Sequence, residues 1–118
     1  SEESYLEALE LVQHTCRTGI DELLAKHELD ALIAPTGGPA WKTDLVNGDH
    51  FIGSSSSYPA RAGYPNITVP MGSVHGLPVG LSFFASALAE PTLIEIAFAY
   101  EQATRHRKPP SFGINAEP

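Results

Sequence analysis

The stretch Ala62–Phe84, "AGYPNITVPMGSVHGLPVGLSFF", decides how the rest of the chain is read. Ile67, Val69 and Met71 alternate with Asn66, Thr68 and Pro70, the period-two pattern of a strand with two unlike faces. Past His75 and Gly76 the alternation resumes at Val79, Leu81 and Phe83, which predicts a β-hairpin turning at those two residues. Gly72, Gly76 and Gly80 allow a turn, a bulge or a close backbone approach. Pro70 and Pro78 belong at strand ends or unpaired ladder positions, because proline has no N–H to donate. Asn66-Ile67-Thr68 matches a glycosylation acceptor, but its place at the entrance of a strand makes chance the better reading.

Upstream, Leu6, Leu9, Val12, Cys16, Ile20, Leu23 and Leu24 recur at three- and four-residue steps, which predicts an amphipathic helix from about Ser4 to His27. Ser4 and Glu7 have the spacing of a capping box at its start. Ala31 to Ala34, closed by Pro35, is an apolar run too short for a helix and reads as a strand buried on both faces. That favours a parallel sheet, and we expect it as a central parallel-type strand beside Ile67 to Val69, with Val79 to Phe84 antiparallel to the latter. From Thr36 to Tyr64 the pattern weakens into a long connection whose serine run leads into a short helix. Downstream, Pro91 opens a helix with Leu93, Ile96, Ala97 and Tyr100 on its inner stripe. Arg105, His106, Arg107 and Lys108 complement its negative end, and Pro109 and Pro110 stop it. The order predicts a single α/β domain over residues 1–118, with a small mixed β-sheet of about three strands packed with helices.

Composition removes several function classes. The net charge is −7, and three of only seven Lys and Arg crowd into Arg105, Arg107 and Lys108, so no basic surface tracks a phosphate backbone and no nucleic-acid partner is expected. No apolar run approaches the roughly 20 residues that cross a bilayer, so no membrane partner is expected. The N-terminus has no signal-peptide pattern, and the single cysteine, Cys16, leaves cytoplasm as the default compartment with a periplasmic or secreted location as the alternative. His14, His27, His50, His75 and His106 show no metal-ligand spacing, so neither a metal nor a cofactor is expected. The run Gly53–Ser57 lacks the form and the neighbouring base of an activated nucleophile and reads as solvated or capping serines. Gly37–Pro39 lacks the ending of a phosphate loop and reads as a turn. Trp41 follows the C-terminal end of a strand, where ligands collect in open α/β sheets; pocket lining and a core or hinge role both fit it.

Four blocks carry a resemblance: "DALIAPTGGPAW" at Asp30–Trp41, "AGYPNITVPMG" at Ala62–Gly72, "GLPVGLSFF" at Gly76–Phe84 and "AYEQATRHRKPP" at Ala99–Pro110. In this order they resemble the C-terminal portion of amidase signature family enzymes, and the wording is closest to the peptide amidase-like branch. The resemblance implies amide hydrolysis by a serine nucleophile, a second serine and a lysine, all near a Gly- and Ser-rich signature on the N-terminal side of these blocks. That signature is not in this sequence, and Lys26, Lys42 and Lys108 do not have the expected relation to one, so no catalytic residue is carried over. What the resemblance implies for this chain is substrate binding. The loop from Thr36 to Trp41, together with Asn66 and Thr68, is expected to face the cleft, against the plainer readings of Thr36 as a cap, Asn66 as a turn residue and Thr68 as a β-former. The expected partners are a missing N-terminal catalytic part, a small-molecule or peptide amide substrate, and other copies of the chain through open strand edges. Two alternatives stand beside this: part of the amidase subunit of a transamidation complex, and a noncatalytic binding or scaffold domain.

Overall fold

The structure, a computed structural model, describes residues 1–110. Helix α1 spans Glu2–His27. Its N-cap is Ser1, whose hydroxyl accepts from the Ser4 N–H while the Ser4 hydroxyl accepts from the Ser1 amine. The capping box therefore sits one turn before the one expected at Ser4 and Glu7, because the hydroxyl of Ser4 takes the place of the carboxylate. The helix ends on Glu28 in the left-handed conformation, with Leu29 N–H donating to Leu24 O. Of its apolar stripe, Ile20 and Leu24 are buried, while Leu6, Leu9 and Val12 on the N-terminal half are exposed.

Strands β1 (Leu32–Pro35), β2 (Asn66–Val74) and β3 (Leu77–Phe84) form one sheet in the order β1-β3-β2. The small sheet with its hairpin is as the sequence predicts, but the pairing differs from expectation. All pairings are antiparallel, β3 is central, and β1 lies at an edge against β3 instead of beside β2. The apolar content of β1 is satisfied on one face only, and Ile33 is 64% exposed. The hairpin turns at His75 and Gly76, both with positive φ, the backbone that a two-residue connection requires. Between Pro70 and Gly72 the register shifts at a β-bulge, with Gly72 at φ 145°.

Cross-strand partners share a face, so Ile67, Val69, Leu81 and Phe83 lie on one side of the sheet. Helix α3 (Glu90–Thr104) covers that side with buried Leu93 and Ala97, and Tyr100 meets Phe83 edge to face at 5.7 Å. Pro91 stands in its first turn, as the sequence predicts. The helix stops at Thr104 through a left-handed Arg105, well before Pro109, so the cations from Arg105 to Lys108 follow the last turn instead of occupying it. On the other side of the sheet, α2 (Ser57–Ala62) holds buried Pro59 and Ala62, and Arg17 Nε of α1 donates to Ala62 O at 2.7 Å.

The connection before α2 is organised. Asp44 accepts from the backbone and side chain of Asn47 and from the Val46 N–H, which holds its carboxyl below the usual value. Trp41 meets Phe51 edge to face at 6.0 Å across the loop. The chain as a whole is open: its radius of gyration is 17.6 Å, against about 13.5 Å for a compact domain of this length. Its accessible surface of 9076 Å² likewise exceeds the roughly 6,200 Å² of a compact monomer of its mass.

Candidate functional site

Three hydroxyls meet on the face of the sheet opposite α3. Thr68 on β2 and Ser82 on β3 are register partners, and Thr36 follows the last residue of β1, its N–H donating to Gly80 O at 2.8 Å. Thr36 Oγ1 lies 2.8 Å from Ser82 Oγ and donates to Thr68 Oγ1 at 3.3 Å, and Thr68 Oγ1 lies 3.1 Å from Ser82 Oγ. Ser82 is fully buried, and Thr68 is exposed. A ring of three hydroxyls uses one proton from each, so the oxygen of Thr68 keeps a lone pair for an N–H donor arriving from outside. Gly80 makes the ring possible: a Cβ there would stand 2.6 Å from Thr68 Cγ2 and 2.8 Å from Thr36 Oγ1.

Beside this ring lies a cavity of about 630 Å³, bounded by Gly37 and Gly38, Ile52, Ser55, Tyr58 and Phe84. The segments on its two sides are tied by the bridge between Gly37 and Ser54 and by Ser55 N–H donating to Thr36 O at 3.3 Å. Ser54 and Ser56 hydroxyls pair with each other at 2.9 Å, whereas Ser55 Oγ is buried with no hydrogen-bond partner among the described residues. Among those residues, no His or Lys nitrogen bonds to a hydroxyl of this serine run.

Of the four residues read as substrate-binding, the structure brings two together. Thr36 and Thr68 share the hydroxyl ring; Trp41 is 40% exposed and engaged with Phe51; Asn66 is two residues from Thr68 on the same face of β2, opposite Phe84, and also borders a smaller cavity of about 210 Å³ with Ile67, Leu93 and Ile94. Sequence reasoning missed Ser82 and Ser55. Ser82 had a findable signal: the alternation that puts Ile67 and Val69 on the face of Phe83 and Leu81 also puts Ser82 opposite Thr68. Ser55 had none, since its neighbours have the same side chain.

A probable amidase of Arabidopsis thaliana is 41% identical over 107 residues, 89% of this chain and 18% of that protein. The solved peptide amidase from Stenotrophomonas maltophilia superposes with a TM-score of 0.81 at 50% identity, over 92% of this chain and 22% of that one. The chain belongs to the amidase signature family. A glutamyl-tRNA(Gln) amidotransferase subunit from Symbiobacterium thermophilum is also similar, 36% identical over 84 residues, 67% of this chain and 17% of that protein. No family model matches the chain. The chain thus spans about a fifth of the length of the amidase relatives it matches.

Proposed function

We propose that this chain is the C-terminal part of an amidase that hydrolyses carbon–nitrogen bonds of small or peptide amides, and that it supplies walls of the substrate cleft. The nucleophile and its base then belong to a preceding part of the same enzyme. The observation that carries the pocket role is the ring of Thr36, Thr68 and Ser82, fixed by three strands and open to solvent at Thr68. In acyl transfer the scissile carbonyl must sit within hydrogen-bond reach of its groups, and a misplacement of about 1 Å costs on the order of a hundredfold in rate. A rigid sheet suits that requirement. Asn66, beside Thr68 on the same face, and Trp41 in the loop beyond extend the wall on this reading. The compartment on this reading is the cytoplasm, and among the described residues no helix is long and apolar enough to cross a membrane.

Ammonia release from peptide amides tests the proposal. The longer enzyme is expected to be active, and the 118-residue chain by itself inactive. Thr68→Val in the longer enzyme should raise KM about fivefold, the loss of one hydrogen bond. Turnover by the chain alone that vanishes with Ser55→Ala would overturn this division of labour. A second reading is supported by the similarity to the amidotransferase relative: the longer protein delivers the released ammonia to a partner's active site. Glutamine-dependent amidation that requires a co-purified partner protein would favour it.

A further inference from the structure

In the loop between β1 and α2, Asn47 is followed by Gly48, and of the chain's three asparagines it is the one that precedes a glycine. Asparagine is a thermally labile side chain, and its decay is intramolecular: the backbone nitrogen of the next residue attacks the side-chain carbonyl carbon. A glycine in that position has no side chain to hinder the approach. Around Gly48 the space is open, with no atom beyond its chain neighbours within 4 Å of where a Cβ would stand, and Asn47 is exposed.

The groups that would react are nevertheless all held by one residue. Asp44 Oδ2 accepts from Asn47 Nδ2 at 2.9 Å, which keeps the side-chain amide turned toward Asp44. Asp44 Oδ1 accepts from the N–H groups of Val46 and Asn47, both at 2.9 Å, and so fixes the backbone before the glycine. The Asp44 carbonyl oxygen accepts from Gly48 N–H at 3.0 Å, and that N–H must lose its proton before the nitrogen can attack. The contacts with Asn47 and Val46 keep the Asp44 carboxyl ionised, and a negative charge so near opposes an anionic nitrogen at Gly48.

We propose that Asn47–Gly48 is a deamidation site that Asp44 keeps locked. When the grip is released, the Gly48 nitrogen, its proton gone to solvent, forms a bond to Asn47 Cγ. The Cγ–Nδ2 bond breaks, and the side-chain nitrogen takes up a proton and leaves as ammonia. Water then opens the cyclic imide at either of its carbonyls and leaves aspartate or isoaspartate at position 47. The balance is one water consumed and one ammonia released, with no oxidant and no second protein. The new carboxylate stands where Asn47 donated to Asp44, so a like charge replaces a hydrogen bond and the turn loses the contact that closed it. This chemistry is independent of the reaction that the longer enzyme carries out.

The test incubates the folded longer enzyme at neutral pH and, separately, the tryptic peptide 43–61 released from it, and follows the mass gain at Asn47 by tandem mass spectrometry. The peptide is the unlocked reference, since it lacks Trp41, whose contact with Phe51 spans the loop in the fold. Deamidation in the folded protein is expected to be slower than in the peptide by about tenfold, the scale of one hydrogen bond to a charged group. Asp44→Ala should bring the folded rate close to that of the peptide. Asp44→Ser keeps an acceptor for the backbone but is too short for Asn47 Nδ2, so its rate should fall between wild type and Asp44→Ala, a graded order that unfolding would not produce. A peptide that stays intact would overturn the site. A folded wild type that deamidates as fast as the peptide, or Asp44 variants as slow as the wild type, would overturn the lock.

Discussion

Tyr64 donates its phenolic hydrogen to Asp21 Oδ2 at 2.7 Å, joining the entrance of β2 to the C-terminal third of α1. The other carboxylate oxygen accepts from Ser86 just past β3 at 2.6 Å. One side chain thus gathers three segments that are far apart in sequence, and it does so where the helix passes from its exposed half to its buried half.

Replacing Tyr64 by Phe should lower stability by about 1–2 kcal/mol, the loss of a hydrogen bond to a carboxylate at a partly exposed site. Asp21→Asn should cost at least as much, because it weakens both contacts. Chemical denaturation with an unchanged m-value is the check.

The same contact has a pH signature. The hydrogen bond to Asp21, with smaller contributions from burial and from the Asp21 charge, raises the Tyr64 phenol above its ordinary value of 10.0. A group held protonated in the fold contributes stability that is fully present below its unfolded pKa and is lost as pH rises through the folded one. The thermal midpoint should therefore fall more steeply above about pH 10 in the wild type than in Tyr64→Phe. Parallel curves for the two proteins would refute the linkage.

Gly80→Ala should be costly although alanine is small. The added carbon meets two β-branched side chains whose rotamers are stiff, and overpacking of this kind costs about 1–3 kcal/mol. In the longer enzyme the substitution should also raise KM, because it displaces Thr68 and Thr36 together. An unchanged KM with reduced stability would separate the ring from the substrate.

Leu93 is 1% exposed, whereas Leu81 is only partly buried. Leu93→Ala should cost about 2–5 kcal/mol, and Leu81→Ala should cost clearly less. The ordering is the test, and urea midpoints measure it.

The outer edge of β1 has no strand beside it within the described sheet, and Ile33 stands exposed there. The isolated chain should therefore self-associate with rising concentration, and Ile33→Lys should reduce the effect. Sedimentation that shows a clean monomer at all concentrations would refute this.

The sequence made local geometry readable and long-range pairing hard to read. His75-Gly76, Gly72 and Gly80 announced a turn, a bulge and a close approach, and each glycine serves one of these. The place of β1 is not legible in its own residues, because Ala31 to Ala34 looks the same in a central parallel strand as at an antiparallel edge; only the partner decides, and the partner is some fifty residues away. The site divided along the same line. Thr36 and Thr68 were visible as polar residues at strand ends, but their meeting through Ser82 depends on three strands pairing at once. Asn66 stands beside Thr68 on the same face of β2, whereas Trp41 is drawn to Phe51 across the loop.

The bulge at Met71 also fixes where the hairpin can change length. Removing Met71 would close the ladder into a regular one while leaving Thr68 opposite Ser82 and the turn at His75 and Gly76. Removing Leu81 from β3 instead, a strand with no spare residue, would turn Ser82 to the face of α3 and break the ring. Within this hairpin, then, one strand can lose a residue at the bulge without changing the hydroxyl ring, and its partner cannot.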